Sequence, residues 1–258
     1  MSEIKPAELF SLEGRVMVVS GASSGIGEGC ARFLGEMGAT VALLDLNEEA
    51  GSQAAAAIGE GAIFVKCDVT CADDCKKAVE AVMNRWGRVD GLVNCAGVIR
   101  RDTTIGLSEQ DWDISVDVSM KGVFLLSKAI LPVMEAQQSG SIVNIGSNWG
   151  ISGGPRAVSY CAAKGGVVNM TRAMAIDHGP SNIRVNCVCP GDVDTPMLRD
   201  EGRQLGRDME DWLAESATRP LGRVCRPIDI AMAVYFLVSD LSPWVSGAVI
   251  AVDGGGTA

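Results

Sequence analysis

Histidine is scarce in this chain: His178 is the only one among 258 residues. A Ser-His-Asp hydrolase needs a histidine as its general base, and zinc sites are commonly built from histidines and closely spaced cysteines. His178 is followed by Gly179-Pro180, which is typical of a helix end. The composition therefore argues against a hydrolytic triad and against a histidine-based metal centre.

Positive charge and long apolar runs are also in short supply. The chain has 22 Lys and Arg against 32 Asp and Glu, for a net charge of −10. Such a protein repels phosphate backbones, which excludes a nucleic-acid partner. No apolar run approaches the ~20 residues of a membrane span, and Met1–Phe10 lacks the basic and apolar regions of a signal peptide. We expect a cytoplasmic protein without a membrane partner.

Cysteine is abundant, with nine residues, and Cys67, Cys71 and Cys75 follow one another at four-residue intervals. These three lack the CxxC or histidine spacing that zinc sites favour. We expect small, reduced core residues, no disulfide framework and no metal.

Linkers and internal repeats are missing too, and apolar strands alternate with amphipathic helices along the whole chain. This alternation predicts a parallel sheet covered on both faces. The fold class expected is α/β, with a single doubly wound (Rossmann-like) domain over 1–258 and a seven-stranded parallel sheet flanked by helices. The expected strands lie at about 15–20, 40–44, 62–67, up to 94, 141–146, 183–188 and 248–252. The expected helices lie at about 25–37, 48–58, 71–86, 108–137, 159–178 and 228–239.

The turn after the first strand is rich in glycine and reads GASSGIG. Glycine lets the backbone turn sharply and approach a pyrophosphate, while the following helix supplies N–H donors and a positive dipole. The alternative is a tight turn that serves helix–sheet packing alone. The candidate phosphate-binding residues are Gly21, Ser23, Ser24, Gly25, Ile26 and Gly27.

Asp45 ends the second strand, with Leu46 directly after it. A carboxylate at this place accepts hydrogen bonds from the adenosine ribose and repels a 2′-phosphate. No arginine or lysine lies in the turn or after the strand to receive such a phosphate. Asp45 and Leu46 therefore favour NAD over NADP; the alternative is that Asp45 or Asn47 only caps the next helix.

Tyr160 and Lys164 are four residues apart in the predicted helix 159–178, so they share a face. A tyrosine base near neutral pH needs its pKa lowered from about 10 to about 7, which requires roughly 4 kcal/mol of preferential phenolate stabilisation. A close cation supplies part of this. Ser147 lies thirteen residues upstream of Tyr160, beyond an apolar strand.

Together these features resemble the short-chain dehydrogenase/reductase superfamily over essentially the whole chain. The matching motifs are GASSGIG at 21–27, Asp68-Val69, NCAG at 94–97, IGS at 145–147, Tyr160 with Lys164, NCVCPG at 186–191, DTPM at 194–197 and VDGG at 252–255.

The resemblance implies that Tyr160 is the acid/base, that Lys164 holds the nicotinamide ribose and biases Tyr160 toward phenolate, and that Ser147 orients the substrate oxygen. It implies NAD as the cofactor. The further cofactor contacts that it implies are Asp68, Val69, Asn94, Ala96, Gly97, Pro190, Gly191, Val193 and Thr195, together with Tyr160 and Lys164.

Ser119 departs from the family pattern, which carries an asparagine there to hold a water beside the active-site lysine. A serine hydroxyl also donates and accepts hydrogen bonds. We weigh a neutral replacement against a slower or rerouted proton relay, and include Ser119 among the catalytic candidates.

The substrate candidates are Arg100, Asn148, Trp149 and Arg156, since the family resemblance places these segments at the edge of the cleft. An arginine clamp would favour an anionic substrate, whereas solvated surface arginines would not. The run AGVIRR at 96–101 resembles sugar-acid (2-deoxy-gluconate-type) 3-dehydrogenases, and 193–221 resembles a substrate lid.

We therefore expect an NAD-dependent oxidoreductase of a secondary alcohol, such as a polyol or sugar acid, and its ketone. The alternatives are a non-enzymatic NAD-binding regulatory protein and an NADPH-type carrier-protein reductase. The resemblance implies a homotetramer built through helices 108–137 and 159–178 and the C-terminal strand.

Overall fold

The computed structural model describes residues 9–258. Its strands are β1 (Val16–Ser20), β2 (Thr40–Asp45), β3 (Ala62–Lys66), β4 (Gly91–Asn94), β5 (Gly140–Ile145), β6 (Ile183–Pro190) and β7 (Val249–Val252). Its α-helices are α1 (Gly25–Glu36), α2 (Glu48–Ile58), α3 (Ala72–Trp86), α4 (Glu109–Val116), α5 (Gly122–Gln137), α6 (Val158–His178), α7 (Pro196–Gln204), α8 (Met209–Ser216) and α9 (Pro227–Val238).

All seven strands are parallel and lie in the order β3-β2-β1-β4-β5-β6-β7. The order reverses between β1 and β4, which opens a crevice at the carboxyl ends of the strands. This arrangement confirms the predicted doubly wound α/β fold.

The core has two layers because successive side chains of a strand point to opposite faces. On β1, Val19 packs in the cluster that contains Leu34 of α1 and Val234 of α9. Its neighbour Val18 packs in the cluster that contains Ile130 of α5 on the other face. Both faces of the sheet are thus covered by helices.

The helix expected over 108–137 is not continuous, and that expectation is wrong in this respect. A π-helical turn, Asp117–Lys121, separates α4 from α5, and the Gly122 amide donates to the Asp117 carbonyl. The turn carries Ser119, whose hydroxyl is 3.0 Å from both the amide nitrogen and the carbonyl oxygen of Val98. The π turn thus coincides with a side-chain link to a loop on another element, and such single turns are frequent at functional sites.

The segment expected to be a lid contains α7 and α8. Thr195 caps α7 by accepting from the Leu198 amide at 3.3 Å, and Pro196 occupies the first turn. Trp212 of α8 is buried and donates from Nε1 to the Leu198 carbonyl oxygen at 2.8 Å. This hydrogen bond holds α7 and α8 together.

No helix within residues 9–258 has the length and apolar character needed to cross a membrane. The expectation about an N-terminal signal falls mainly on residues 1–8, which lie outside the described range.

Candidate active site

A cleft of about 360 Å³ lies at the carboxyl ends of the strands, where the strand order reverses. It contains most of the residues that the sequence singles out for the cofactor. Those that line it are Gly21, Ser23, Ser24, Gly25, Ile26, Gly27, Asp45, Leu46, Asp68, Val69, Ala96, Gly97, Tyr160, Lys164, Pro190, Gly191, Val193 and Thr195.

The glycine-rich turn is packed so tightly that side chains are excluded. A Cβ on Gly27 would lie 2.1 Å from the Gly21 carbonyl oxygen, and one on Gly21 would lie 2.8 Å from the Ala96 Cα. Gly21 also has φ +65. The side chain of Ser24, at the N-cap of α1, makes no capping hydrogen bond. The first amides of α1 thus remain available to an anion, which fits a pyrophosphate group.

Asp45 is held in place by backbone donors at the end of β2. Its Oδ2 accepts from the Ser23 amide at 3.1 Å and its Oδ1 accepts from the Asn47 amide at 3.0 Å. The cap of α2 is Asn47, which accepts from the Ala50 amide at 3.1 Å. Asp45 is therefore tied to the glycine-rich turn and is not the residue that caps the helix.

Lys66 lies on the strand next to Asp45, although the two residues are far apart in the sequence. Lys66 of β3 is paired in register with Asp45, but its Nζ lies 3.9 Å from Glu48 Oε2 at the surface. It does not line the cleft. The charge beside the cleft at this end therefore remains that of Asp45.

A second, acidic groove adjoins this end of the cleft. The two share Leu46, Asp68 and Val118, and the groove is also lined by Glu109, Asp113 and Asp117. A concentration of negative charge of this kind repels an additional phosphate.

Tyr160, Lys164 and Ser147 meet at the opposite end of the cleft. Tyr160 and Lys164 lie on the first turns of α6, both buried, with Lys164 Nζ 5.7 Å from the Tyr160 ring centroid. Lys164 Nζ donates to the Ile145 carbonyl oxygen at 2.7 Å. Ser147 follows β5, and its Oγ accepts from the Trp149 amide at 3.1 Å and donates to Asn148 Oδ1 at 3.2 Å.

Burial sets the electrostatics of these groups. It raises the pKa of the Tyr160 phenol, the charge of Glu201 raises that pKa further, and the nearby Ser147 hydroxyl lowers it. Burial lowers the pKa of the Lys164 ammonium. Each charge on its own is disfavoured, so a phenolate and an ammonium would compensate each other here. The expected bias of Tyr160 toward phenolate stays a prediction.

Ser119 lies behind the cleft wall. It is fully buried, and a Cβ on Gly97 would come within 3.6 Å of its Oγ and within 3.5 Å of Lys164 Nζ. Gly97 therefore stands between Ser119 and the cleft. The hydroxyl is fully engaged with the backbone of Val98.

Replacing Ser119 with asparagine should leave kcat within a few-fold of the original enzyme or raise it. The amide provides the same donor and acceptor functions on two atoms. Ser119→Ala is the control: it leaves the Val98 backbone groups unpaired and should cost about 1–3 kcal/mol of stability. Initial rates and thermal denaturation measure both effects. A large loss of kcat in Ser119→Asn would show that the proton relay has been rebuilt around serine.

Asn94 is not among the residues that line the cleft, and its role as a cofactor contact stays a prediction. Its Nδ2 donates to Ser127 Oγ at 3.0 Å and to Asn144 Oδ1 at 2.8 Å, and the side chain is buried. Because Asn144 lies beside it on β5, the amide nitrogen joins β4 to β5 and to α5, while Oδ1 is buried without a hydrogen-bond partner among the described residues.

The four substrate candidates divide into two pairs. Asn148 and Trp149 line the cleft, whereas Arg100 and Arg156 do not. Arg100 Nε lies 3.2 Å from Asp111 Oδ1. Arg156 Nη2 lies 3.4 Å from Asp102 Oδ1. Both arginines are half-exposed and matched by carboxylates, which agrees with the surface alternative.

Glu201 was not expected at the site from the sequence, whereas Arg101 lies in the run AGVIRR beside the candidate Arg100. Glu201 of α7 lines the cleft, and Arg101 Nη1 donates to its Oε2 at 2.6 Å. Burial raises the pKa of the Glu201 carboxyl to about 7, against the opposing effect of Arg101. The sequence contained a signal for Glu201, because it lies four residues after Met197 and the two share one face of α7. Both residues line the cleft.

The nine cysteines are free thiols. The sulfurs of Cys187 and Cys189 lie 3.8 Å apart in the core. Within residues 9–258 no group of three or more histidine, cysteine, aspartate or glutamate side chains is placed to hold a metal.

A protein-family model described as enoyl-(acyl carrier protein) reductase matches residues 21–257. The chain is 38% identical over 250 residues to the 3-oxoacyl-[acyl-carrier-protein] reductase FabG of Thermotoga maritima, covering 95% of this chain and 98% of that one. It is 40% identical over 253 residues to 2-(S)-hydroxypropyl-CoM dehydrogenase 3 of Xanthobacter autotrophicus, covering 96% and 98%. A crystal structure of 3-ketoacyl-(acyl-carrier-protein) reductase from Brucella melitensis, complexed with NADH, superposes with a TM-score of 0.88 at 32% identity, covering 96% of this chain and 100% of that one.

Proposed function

The chain belongs to the short-chain dehydrogenase/reductase superfamily, and on that basis we propose that it is an NAD-dependent enzyme that interconverts a polar secondary alcohol and its ketone. Its relatives carry the names of reductases and dehydrogenases, so the chain is an oxidoreductase that acts on CH–OH groups. The observation that carries the proposal is the meeting of Ser147, Tyr160 and Lys164 at one end of the cleft.

A bound nicotinamide cofactor supplies the hydride acceptor or donor. In alcohol oxidation Tyr160 takes the proton of the substrate hydroxyl, and in ketone reduction it returns that proton. Ser147 hydrogen-bonds the same oxygen and orients it, which stabilises the charge that develops there. Lys164 holds the ribose and stabilises the phenolate of Tyr160.

The choice of NAD over NADP is supported by the charge at the other end of the cleft. The Asp45 carboxylate is fixed beside the Ser23 amide, and the neighbouring groove adds Asp68, Glu109 and Asp113. A 2′-phosphate would have to enter this negative field, whereas a ribose hydroxyl donates to Asp45. NADH in the Brucella melitensis structure agrees with the same choice.

The double change Asp45→Ala and Leu46→Arg should move the preference toward NADP by roughly tenfold or more, because it removes a repulsive charge and adds a phosphate partner. The readout is the ratio of kcat/KM for NAD to kcat/KM for NADP. Asp45→Asn serves as the control, since it removes the charge and keeps an acceptor for one of the two backbone amides. A parent enzyme that already prefers NADP would overturn the ribose argument.

The substrate end of the cleft favours a neutral polar alcohol over an anion. Arg100 and Arg156 pair with carboxylates outside the cleft, and the charge of Arg101 is matched by Glu201. No cation within residues 9–258 other than Lys164 lines the cleft. Asn148 and Trp149 provide a polar group and an aromatic face, which suit a polyol.

The proposal is tested by NADH formation from NAD across a panel of polyols, sugar acids and hydroxysulfonates, with Tyr160→Phe as the blank. Turnover that depends on Tyr160 and is strongest with neutral polyols supports the proposal. Turnover confined to the anionic compounds would refute the neutral substrate. Tight NAD binding without turnover would favour a regulatory NAD-binding protein.

A carrier-protein reductase is the second candidate, because the Thermotoga maritima relative bears that name. It would oxidise NADPH in the presence of an acetoacetyl thioester, and the Asp45 carboxylate argues against that cofactor. Faster NADPH oxidation with the thioester than NADH formation with any polyol would decide for this candidate.

We propose that the segment 193–221, which includes α7 and α8, closes over the substrate.

We also propose that the protein forms a homotetramer. Exposed apolar side chains support it on the helices expected to pair: Trp112, Phe124 and Ile176.

A further inference from the structure

Arg101 and Glu201 form a buried ion pair that joins the loop after β4 to α7. The Arg101 side chain is 3% exposed and that of Glu201 is 12% exposed. Arg101 Nη2 donates to the Pro155 carbonyl oxygen at 3.1 Å, and its guanidinium carbon lies 4.7 Å from the centre of the Trp149 ring. These contacts fix the guanidinium, and the guanidinium in turn fixes the carboxylate.

The same loop and helix are joined a second time. The Arg101 amide donates to Gln204 Oε1 at 2.9 Å, and Gln204 Nε2 donates to the Ile99 carbonyl oxygen at 3.2 Å. Arg101 therefore holds Glu201 directly, and Gln204 holds the same helix to the loop one turn further on. A residue held this firmly at a cleft wall is suited to recognition.

Only one oxygen of this carboxylate is used. Arg101 donates to Oε2, and among residues 9–258 no donor reaches Oε1. Glu201 lines the same cleft as Trp149 and Tyr160, whose rings meet edge to face with centroids 6.4 Å apart. A hydrogen-bond acceptor thus faces the cleft on the wall that contains the acid/base.

On the basis of the proposed function, we propose that Glu201 is a specificity residue: its Oε1 accepts a hydrogen bond from a second hydroxyl group of the substrate, next to the reacting carbinol. The enzyme therefore prefers a vicinal diol to the simple alcohol of the same skeleton.

The chemistry of the pair selects this class of substrate. Burial raises the pKa of the Glu201 carboxyl to about 7, so above that pH it is ionised, accepts hydrogen bonds and donates none. An anionic group at this place would meet the charge of Glu201, while the charge of Arg101 is already matched by that carboxylate. A simple alcohol would leave the acceptor without a partner, and a site built around a hydroxyl rejects analogues that lack it.

The test compares 1,2-cyclohexanediol with cyclohexanol, and 2,3-butanediol with 2-butanol, as substrates for NADH formation. The original enzyme should favour each diol by about 10- to 100-fold in kcat/KM, as one hydrogen bond to a charged group implies. In the double variant Arg101→Met, Glu201→Leu the ratio should fall below about threefold. Both partners are replaced because a single change would leave a buried charge unpaired.

Glu201→Gln is a second variant for the case in which the double variant does not fold. It keeps a partner for Arg101 and replaces the charged acceptor by a neutral amide, whose hydrogen bond to a hydroxyl is weaker, so the diol preference should fall as well. Glu215→Leu is the matched control, because Glu215 is an exposed carboxylate of α8 paired with Arg207; its ratio should equal that of the original enzyme.

A diol preference that persists in both Glu201 variants would overturn this inference, and so would its absence in the original enzyme. In either case turnover that depends on Tyr160 would leave the proposed function standing. Absence of turnover with all four compounds and with the wider panel would overturn both. Faster turnover of 2-aminocyclohexanol than of the diol would overturn the choice of a hydroxyl.

Discussion

Replacing Tyr160 with phenylalanine should lower kcat by about 10²- to 10⁴-fold, the range of a general acid–base group, while the dissociation constant for NAD changes little. Phenylalanine keeps the ring that packs against Trp149 and Ile99 and removes only the phenol that exchanges the proton. The measurements are steady-state NADH formation and a titration of NAD binding by fluorescence or calorimetry.

The chain provides a matched control for this experiment. Tyr235 is the other tyrosine, on α9, where its hydroxyl donates to the Phe10 carbonyl oxygen and its ring packs edge to face on Phe33. Tyr235→Phe should affect stability by about 1 kcal/mol and leave kcat unchanged. If Tyr160→Phe turned over as fast as Tyr235→Phe, the acid/base would have to be another group.

The order of the strands and helices was predictable because each core strand is buried on both faces. β1 and β4 are fully buried, so they appear in the sequence as short apolar runs, and amphipathic helices separate them. The π turn at Asp117–Lys121 was not predictable in this way. It carries Ser119, which hydrogen-bonds to Val98, and that partner lies 21 residues away in the chain.

In the site, too, local sequence patterns were predictable and contacts between distant residues were not. The glycine-rich turn and the Tyr160–Lys164 pair are local patterns, so the sequence alone identifies them, and the structure brings them into one cleft. The roles of the arginines cannot be identified from local patterns, because they depend on which carboxylate the fold brings near each guanidinium. Arg156 meets Asp102, 54 residues away, and Arg101 meets Glu201, 100 residues away. The sequence therefore left an anion clamp and surface arginines as alternatives, and the fold pairs these arginines with carboxylates.

Gly27→Ala should weaken NAD binding by roughly two orders of magnitude and lower the free energy of unfolding by about 1–3 kcal/mol or more, the usual cost of overpacking a tight site. The new Cβ would lie 2.1 Å from the Gly21 carbonyl oxygen and 3.2 Å from the Ala22 Cα. Both are backbone atoms, so the turn itself must move to accommodate it. Displacing the turn misplaces the α1 amides that are proposed to hold the pyrophosphate. Calorimetric titration with NAD and thermal denaturation measure the two effects.

Gly61→Ala is the control for Gly27→Ala, because a Cβ there would meet only the Ala39 carbonyl oxygen, at 3.9 Å. This is an ordinary van der Waals contact in the turn before β3, and both NAD binding and stability should stay close to those of the original protein. If Gly27→Ala behaved like Gly61→Ala in both measurements, the contact between Gly27 and Gly21 would not shape the cofactor turn. If stability fell while NAD binding was retained, the glycine would serve helix–sheet packing alone, which is the alternative that the sequence left open.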